Sequence, residues 1–342
     1  VIDLKVKQKK KQMRGHFSEA MIEAISKTLE AKEQVILFQN RRGFSSFVNC
    51  TTCGHVPQCP NCDVSLTYHK HNEKLKCHYC GYAVLSHAHC VACGTAHPRP
   101  MGLGTQQIET EIKDLFPEAR VARMDSDTTK GKHGHRDLIQ RFEQHELDIL
   151  IGTQMLTKGL DFNKVTLVGV VLADSLLNFQ DFRAHERAFQ ILLQVSGRAG
   201  RKDRQGRVLI QTYDSNHQIL QQLQQYDYES MFSIQCKQRK EFSYPPFVRL
   251  IRFELKHKNF ATLQQSADWF TQALRNQFSI VLGPQSPPIG RIRNQFLMQV
   301  LLKLPANQSA TSAKEQLNRI IKRFEQIPNF RSVKLLVDVD PI

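Results

Sequence analysis

The chain has 342 residues, of which 41% are hydrophobic and 23% are charged, so it is neither disordered nor collagen-like. At about 150 residues per domain, this length predicts two or three domains with sizeable hydrophobic cores. A formal net charge of +15 favours polyanionic partners, and no apolar stretch approaches the ~20 residues that a membrane span requires, so we expect no membrane helix.

The positive charge is concentrated at the two ends of the chain. Residues 1–49 carry a net +5 and residues 226–342 carry +8, whereas residues 50–94 and 95–225 carry +1 each. We interpret the lysine-rich first fourteen residues as a solvated arm or linker, with a direct phosphate contact as the alternative. The start has no methionine and no apolar core of a secretory signal, so we expect the natural N-terminus to lie further upstream.

Apolar periodicity predicts an α/β domain on both sides of a cysteine-rich segment. Ser18 is the expected N-cap of a helix through Leu29, and a buried strand follows at 35–39. Beyond the cysteines, the predicted helices are 106–115, 135–144, 184–195 and one from about 216, and the predicted strands are 120–124, 147–152, 165–173 and 207–212. This alternation favours a parallel sheet with helices on both faces.

Eight of the nine cysteines form four Cys-x-x-Cys pairs between residues 50 and 93. Two intervening residues let both thiolates reach one metal ion from a tight turn, and four sulfurs complete a closed tetrahedral Zn²⁺ site. We predict two structural zinc ions rather than a disulfide framework, because such pairs are poorly suited to linking distant segments. The expected inner ligands are Cys59, Cys62, Cys77 and Cys80, and the expected outer ligands are Cys50, Cys53, Cys90 and Cys93.

Two loops of the α/β domain carry residue types suited to phosphate. The first follows a predicted strand, where open parallel sheets bind ligands, and its candidates are Thr153, Lys158, Gly159 and Asp161. The second lies at a helix end, where two arginines three positions apart share a face, and its candidates are Gln194, Arg198 and Arg201. Arginines that are merely solvated are the alternative interpretation of the second loop.

From residue 226 the predicted order is β-α-β-β-α-β after one helix at 228–239, which favours a ferredoxin-like α+β domain. The strands are 248–255, 279–283, 296–304 and 332–337, and the helices are 260–277 and 313–326. A Pro-rich stretch at 284–294 carries Arg291 and Arg293, which we predict to contact branched DNA or an acidic protein tail. A merely solubilising face is the alternative.

These motifs resemble superfamily 2 helicases and, within them, the bacterial PriA family of primosomal replication-restart helicases. Residues 194–201 resemble helicase motif VI and residues 152–161 resemble motif V, while an eight-cysteine insertion directly after the strand at 35–39 is typical of that family. The resemblance implies a RecA-like second helicase lobe at 1–49 and 95–225, an inserted two-zinc module at 50–94 and the α+β domain at 226–342. Neither a Gly-x-x-x-x-Gly-Lys-[Ser/Thr] loop nor a Walker B acidic run is present, so we expect the C-terminal part of a longer helicase, inactive as an ATPase by itself.

The resemblance also implies an activity and a set of site residues. It implies an ATP-dependent 3′–5′ DNA helicase that recognises and remodels stalled or abandoned forks, promotes primosome assembly and supports loading of the replicative helicase. Arg198 and Arg201 would act as arginine fingers, and Gln194 would position phosphate and water. Gly159 and Asp161 would contact the nucleotide, while Thr153 and Lys158 would contact DNA.

The expected cofactors are two zinc ions, with ATP and Mg²⁺ in the full-length protein. The expected partners are forked, branched and single-stranded DNA, single-stranded-DNA-binding protein, other primosome proteins and the loader of the replicative helicase, in the bacterial cytoplasm at the nucleoid. The alternative is a zinc-ribbon DNA-binding module on another superfamily 2 translocase.

Overall fold

The structure is a computed structural model that describes residues 1–40, 47–50, 53, 55–69, 73–86, 89–95, 99–101, 104–125, 134–157, 162, 164–179, 181–200 and 205–341. It divides into two compact units, Val1–Ser45 with Gly102–Gln235, and Ser46–Met101 with Cys236–Ile342. Over the described ranges, no helix combines the length and the apolar character needed to cross a membrane.

The helices and strands follow one another in four stretches. Before the cysteines lie β1 (Ile2–Asp3), α1 (Leu4–Lys9), β2 (Met13–Arg14), β3 (Phe17–Ser18), α2 (Glu19–Glu30) and β4 (Gln34–Phe38). The cysteine-rich segment holds β5 (Phe47–Asn49), β6 (Thr67–His69), β7 (Lys74–Lys76), β8 (Ala83–Leu85) and β9 (Arg99–Met101). Next come α3 (Thr105–Leu115), β10 (Val121–Met124), α4 (Gly134–Glu143), β11 (Ile149–Gly152), β12 (Val165–Val170), α5 (Asp174–Leu177), α6 (Ala184–Ser196), β13 (Arg207–Thr212), α7 (Gln218–Gln224) and α8 (Tyr228–Glu241). The last stretch holds β14 (Val248–His257), α9 (Phe260–Arg275), β15 (Val281–Gln285), β16 (Arg291–Ile292), β17 (Gln295–Pro305), α10 (Ala310–Gln326) and β18 (Lys334–Val339).

The first unit is built on a parallel six-stranded sheet in the order β1-β13-β12-β4-β11-β10. Strand β4 lies near its centre and is buried along its whole length. Because side chains alternate along a strand, Val35 and Leu37 pack with α2 and α3 on one face, and Ile36 and Phe38 pack with α6 on the other. The predicted parallel sheet with helices on both faces is confirmed.

The lysine-rich start is part of the folded unit, so its interpretation as an arm or linker was wrong, although Lys5, Lys9, Lys10 and Lys11 are solvent-exposed. Ile2 pairs in parallel with Gln211 at the edge of the large sheet. Asp3 caps α1, since its Oδ1 accepts a hydrogen bond from the Val6 N–H at 3.0 Å, and Leu4 is only 3% exposed. Two buried apolar residues and one N-cap fix this segment, and they are inconspicuous among the lysines that surround them.

The C-terminal domain is an antiparallel sheet in the order β15-β17-β14-β18, packed with α9 and α10. This strand order, joined by the sequence β-α-β-β-α-β, is the ferredoxin-like arrangement that was predicted. Phe253 of the sheet, Phe270 of α9 and Phe324 of α10 form the centre of its core, with ring centroids 5.1 Å and 5.4 Å apart for successive pairs.

The cysteine-rich segment contains a three-stranded antiparallel sheet, β6-β7-β8, and a separate antiparallel pair, β5-β9. In space it forms one compact unit with the C-terminal domain, although in sequence it interrupts the α/β domain. Within this unit, residues 291–294 form hydrogen bonds with the inner cysteine pairs and their neighbours. The domain bounds at 50–94, 95–225 and 226–342 stay a prediction.

Candidate metal centres and phosphate-binding loops

All four Cys-x-x-Cys pairs adopt the same tight turn. In each, the backbone N–H of the first cysteine donates to the carbonyl five residues later, at 2.8 to 2.9 Å, and these bonds join Cys50 to His55, Cys59 to Val64, Cys77 to Tyr82, and Cys90 to Thr95. Gly81 and Gly94, which follow two of the pairs, have φ of +83° and +72°, a conformation that favours glycine. The turns therefore point both sulfurs of each pair to one side.

The turns assemble into two four-sulfur clusters. Within each cluster the sulfurs lie within 4.8 Å of one another, and the clusters consist of Cys50, Cys53, Cys90 and Cys93, and of Cys59, Cys62, Cys77 and Cys80. Individual Sγ–Sγ distances are 3.6 Å for Cys50–Cys93, 3.8 Å for Cys53–Cys90 and 3.5 Å for Cys59–Cys80. The predicted inner and outer pairing is thus the one that the structure forms.

The spacing of the sulfurs fits zinc rather than disulfides. Four sulfurs at ~2.3 Å from a central Zn²⁺ lie about 3.8 Å apart in a tetrahedron, close to the distances observed, whereas a disulfide holds its sulfurs at ~2.05 Å. All eight cysteines are free thiols, so the disulfide alternative was wrong. A closed set of four sulfurs leaves no position for a reacting water, and each site suits a structural zinc ion.

Hydrogen bonds already favour the thiolate form at one cysteine of each cluster. The Tyr82 backbone N–H, 3.4 Å from Cys80 Sγ, lowers the pKa of that thiol to about 7. The Thr95 hydroxyl, 2.9 Å from Cys93 Sγ, lowers the pKa of Cys93. Burial instead raises the pKa of Cys59 to about 12, because a thiolate removed from water loses its solvation. A bound dication would supply the missing compensation.

Arg291 and Arg293 have partners inside the protein. Arg291 Nε lies 3.0 Å from Asp63 Oδ1, and Arg293 Nε donates to the Tyr79 carbonyl at 3.0 Å. Arg252, another basic residue of this domain, pairs with Asp338 at 2.5 Å. The DNA contact of Arg291 and Arg293 stays a prediction, and the structure gives both side chains a place against the inner cysteine pairs instead.

In the first unit, Thr153 follows directly on β11 at the carboxyl edge of the parallel sheet, where ligands of such sheets bind. Gly152 before it packs so closely that a Cβ would approach Leu156 and the Met124 carbonyl. The adjacent 3₁₀ turn, Gln154–Thr157, packs on α6, with Leu156 in one core with Leu192 and Val195. Lys158, Gly159 and Asp161 lie outside the described residues.

The second loop lies at the opposite edge of the same sheet. Arg198 follows α6, and the Gly200 N–H donates at 2.9 Å to the carbonyl of Val165, the first residue of β12. Gln194 is exposed and Arg198 is half-buried, while Arg201 lies outside the described residues. Because β11 and β12 are parallel, Thr153 and Val165 lie at opposite edges of the sheet.

Sequence reasoning missed Gly206, which holds the end of this second loop in place. A Cβ at Gly206 would lie closer than 3.0 Å to backbone atoms of Ala199 and Gly200. A glycine directly before a predicted strand is the signal that could have found it, since glycine permits close backbone approach.

Three family models match successive parts of the chain. The PriA DNA helicase Cys-rich region (CRR) domain matches residues 59–84, the helicase conserved C-terminal domain matches residues 103–203, and the primosomal protein N C-terminal domain matches residues 240–342. Their order is the order predicted for the zinc module, the helicase lobe after it and the C-terminal domain.

Curated relatives match along nearly the whole chain. Replication restart protein PriA of Bacillus subtilis is 40% identical over 331 residues, which are 96% of this chain and 41% of that protein. PriA of Synechocystis is 40% identical over 350 residues, covering 100% of this chain and 41% of that protein. PriA of Haemophilus influenzae is 38% identical over 347 residues, covering 100% and 46%. The chain thus spans less than half the length of these relatives.

Among solved structures, Saccharomyces cerevisiae Dbp5 bound to RNA and ADP BeF3 aligns with 64% of this chain and 42% of its own, at 16% identity. The TM-score of this alignment is 0.30.

Proposed function

The chain belongs to the PriA family of replication restart proteins, and we propose that it works within an ATP-dependent 3′–5′ DNA helicase that remodels stalled forks. In this proposal it supplies the second motor lobe, the zinc module and the C-terminal domain. The phosphate-binding loop and the Mg²⁺ ligands would come from sequence that the longer relatives have and this chain lacks.

The observation that carries the proposal is the position of the two loops at opposite edges of one parallel sheet. Arg198, at the amino edge, would place its guanidinium against the γ-phosphate of ATP held by the first lobe, together with Arg201. Its positive charge would stabilise the charge that develops on the transferred phosphoryl group. Gln194, exposed one turn earlier on α6, would orient the attacking water.

Thr153, at the carboxyl edge, would donate its hydroxyl to a DNA phosphate, assisted by Lys158. The 3₁₀ turn after Thr153 packs on the helix that ends before Arg198, so a shift at one loop is transmitted through Leu156 to α6. This contact supports a motor in which opening and closing of the nucleotide site moves the DNA backbone. Gly159 and Asp161 would complete the nucleotide contacts.

Zinc would have a structural role at both clusters. Each ion would fasten two Cys-x-x-Cys turns into a small rigid body, on which Tyr68, Tyr79 and Tyr82 could stack with bases or meet partner proteins. Fork DNA, single-stranded DNA, single-stranded-DNA-binding protein, other primosome proteins and the loader of the replicative helicase are the proposed partners, and the bacterial cytoplasm at the nucleoid is the proposed location.

Two variants of the full-length protein test the separation of the loops. Arg198→Ala is expected to lower fork-stimulated ATP hydrolysis by ~10³-fold or more while the dissociation constant for fork DNA stays within about twofold. Thr153→Ala is expected to weaken fork binding about fivefold, the value of one hydrogen bond, and to leave DNA-independent hydrolysis unchanged. Retained ATP hydrolysis in Arg198→Ala would overturn the assignment of the finger, and identical phenotypes would overturn the division of roles.

A further inference from the structure

A β-hairpin of the C-terminal domain, closed by a two-residue loop, contacts the inner cysteine cluster. It consists of β16, the turn residues Arg293 and Asn294, and the start of β17, and we call residues 291–296 the docking hairpin. Arg293 and Asn294 have φ of +52° and +58°, the left-handed pair of a type I′ turn. Asparagine tolerates this conformation, whereas arginine adopts it only where its surroundings hold it.

The turn holds the first knuckle of the inner cluster, the Cys59–Cys62 pair. The Arg293 backbone N–H donates to Cys62 Sγ at 3.2 Å. The Asn294 backbone N–H donates to the Asn61 carbonyl at 2.8 Å, and its side-chain amide donates to Asn61 Oδ1 at 3.1 Å. Two backbone N–H groups of the left-handed turn therefore donate hydrogen bonds to this knuckle, one to a sulfur ligand and one to the residue next to it.

The same hairpin also holds the second knuckle, the Cys77–Cys80 pair. Arg293 Nε donates to the carbonyl of Tyr79, which lies between the two cysteines. At the base of the hairpin, Arg291 pairs with Asp63, and the Asp63 N–H donates to the Arg291 carbonyl at 2.9 Å. Ile292 packs against the small apolar core that surrounds the cluster.

We infer that the docking hairpin is the outer shell of the inner zinc site, so that zinc at this site fastens the zinc module to the C-terminal domain. Four thiolates around one Zn²⁺ carry a formal charge of −2. The Arg293 N–H donates to one of these sulfurs and its guanidinium lies against the second knuckle, while Arg291 neutralises Asp63 beside the first. Zinc in turn fixes the two knuckles at the separation that the hairpin bridges. Metal binding and domain attachment are one coupled equilibrium.

The first test asks whether the inner zinc holds the hairpin. Cys77→Ser removes an inner ligand that the hairpin does not itself hydrogen-bond, and Cys90→Ser is the matched outer-site control. In hydrogen exchange on the whole chain, the amides of Asp63, Arg293 and Asn294 are expected to exchange roughly tenfold faster or more in Cys77→Ser and at the wild-type rate in Cys90→Ser. Unchanged exchange in Cys77→Ser, or equal acceleration in both variants, would overturn the inference.

Exchange at Phe253 and Val300, in the central strands β14 and β17, reports whether the C-terminal domain stays folded in Cys77→Ser. If these amides also lose protection, the second test decides. It measures the rate at which zinc is released to a chromophoric chelator. The kinetic phases that belong to the inner and the outer site are identified with Cys77→Ser and Cys90→Ser, each of which removes a ligand from one site.

The second test asks whether the hairpin holds the inner zinc. Asn294→Gly keeps the left-handed turn and removes only the amide, and Arg291→Ala removes the pair with Asp63. Each is expected to speed release from the inner site by roughly 2- to 5-fold, with the outer phase unchanged. Arg249→Ala, an exposed residue of β14, is the control and should leave both phases unchanged. Inner release at the wild-type rate in both hairpin variants would refute the coupling. Wild-type protein without zinc would instead refute the zinc sites themselves.

Discussion

Replacing Gly206 by alanine provides a sensitive test of the second loop. The new Cβ would lie closer than 3.0 Å to backbone atoms of Ala199 and Gly200, whereas carbon atoms rest at ~3.5–4.0 Å. The nearest of these atoms would be 2.2 Å away, and backbone atoms cannot rotate away as a side chain does, so the loop must retreat by about 1 Å or more. We expect the free energy of unfolding to fall by ~1–3 kcal/mol, the usual range for overpacking.

The displacement also moves Arg198, which lies just before Ala199. A misplacement of about 1 Å in a catalytic group lowers a rate by up to ~10²-fold, so Gly206→Ala is expected to reduce ATP hydrolysis by the full-length protein by roughly 10- to 100-fold. Because Thr153 lies at the other edge of the sheet, affinity for fork DNA should change by less than about twofold. Urea unfolding of the chain and fork-stimulated phosphate release measure the two effects.

Gly197→Ala is the matched control in the same loop. A Cβ there would meet nothing nearer than the Leu193 carbonyl oxygen at 3.5 Å, an ordinary contact, and φ at this position is −66°, which alanine adopts readily. We expect wild-type stability within ~0.5 kcal/mol and wild-type hydrolysis. The reasoning is wrong if Gly206→Ala behaves like Gly197→Ala, or if both variants lose hydrolysis to the same extent.

The remaining predictions concern zinc, the second core and pH. Chelation of zinc is expected to impair unwinding by the full-length protein more than ATP hydrolysis, and equal loss of both in parallel assays would indicate global unfolding instead. Phe270→Ala should lower the free energy of unfolding by ~3–5 kcal/mol in urea titrations, because its fully buried ring contacts both Phe253 and Phe324; a loss below ~1 kcal/mol would contradict this packing. Burial, together with the His217 ring, whose centroid lies 5.1 Å from that of His185, lowers the pKa of His185. The unfolded chain therefore takes up this proton at a higher pH than the folded chain does, so the free energy of unfolding should fall as pH drops below ~6.5. His185→Phe should reduce the fall in the urea unfolding midpoint between pH 7.5 and pH 5.5. A fall as large as in the wild type would show that other groups cause it.

The fold was predictable where the signal is local and repeated. Strand β4 could be found because a short run of mainly apolar residues follows a capped amphipathic helix. The predicted cap is present, since Ser18 Oγ accepts a hydrogen bond from the Met21 N–H at 3.3 Å. The cysteine pairing followed from spacing alone, because the short chain between Cys62 and Cys77 leaves little freedom. Predicted bounds differ from the observed ones by a few residues, as fraying at element ends implies.

What the sequence could not reveal are contacts between distant segments. Arg291 and Asp63 are 228 positions apart, and no local pattern marks either as the partner of the other. The turn at Arg293 and Asn294 lacks the Asn-Gly or Asp-Gly pair that usually signals a hairpin. Gly206 depends in the same way on the backbone that happens to lie against it, which only the assembled structure shows.

The antiparallel pair β5-β9 has a consequence for how this protein can be rebuilt. Phe47 lies opposite Met101 and Asn49 opposite Arg99, so the cysteine-rich insertion begins and ends at neighbouring points. An insertion whose two ends already lie side by side costs its host little loop-closure entropy, whatever its length. The segment between Asn49 and Arg99 is therefore an exchangeable cassette: a two-residue turn could replace it, or a foreign domain with adjacent termini could be grafted there, without changing the order of strands in the sheet that it interrupts.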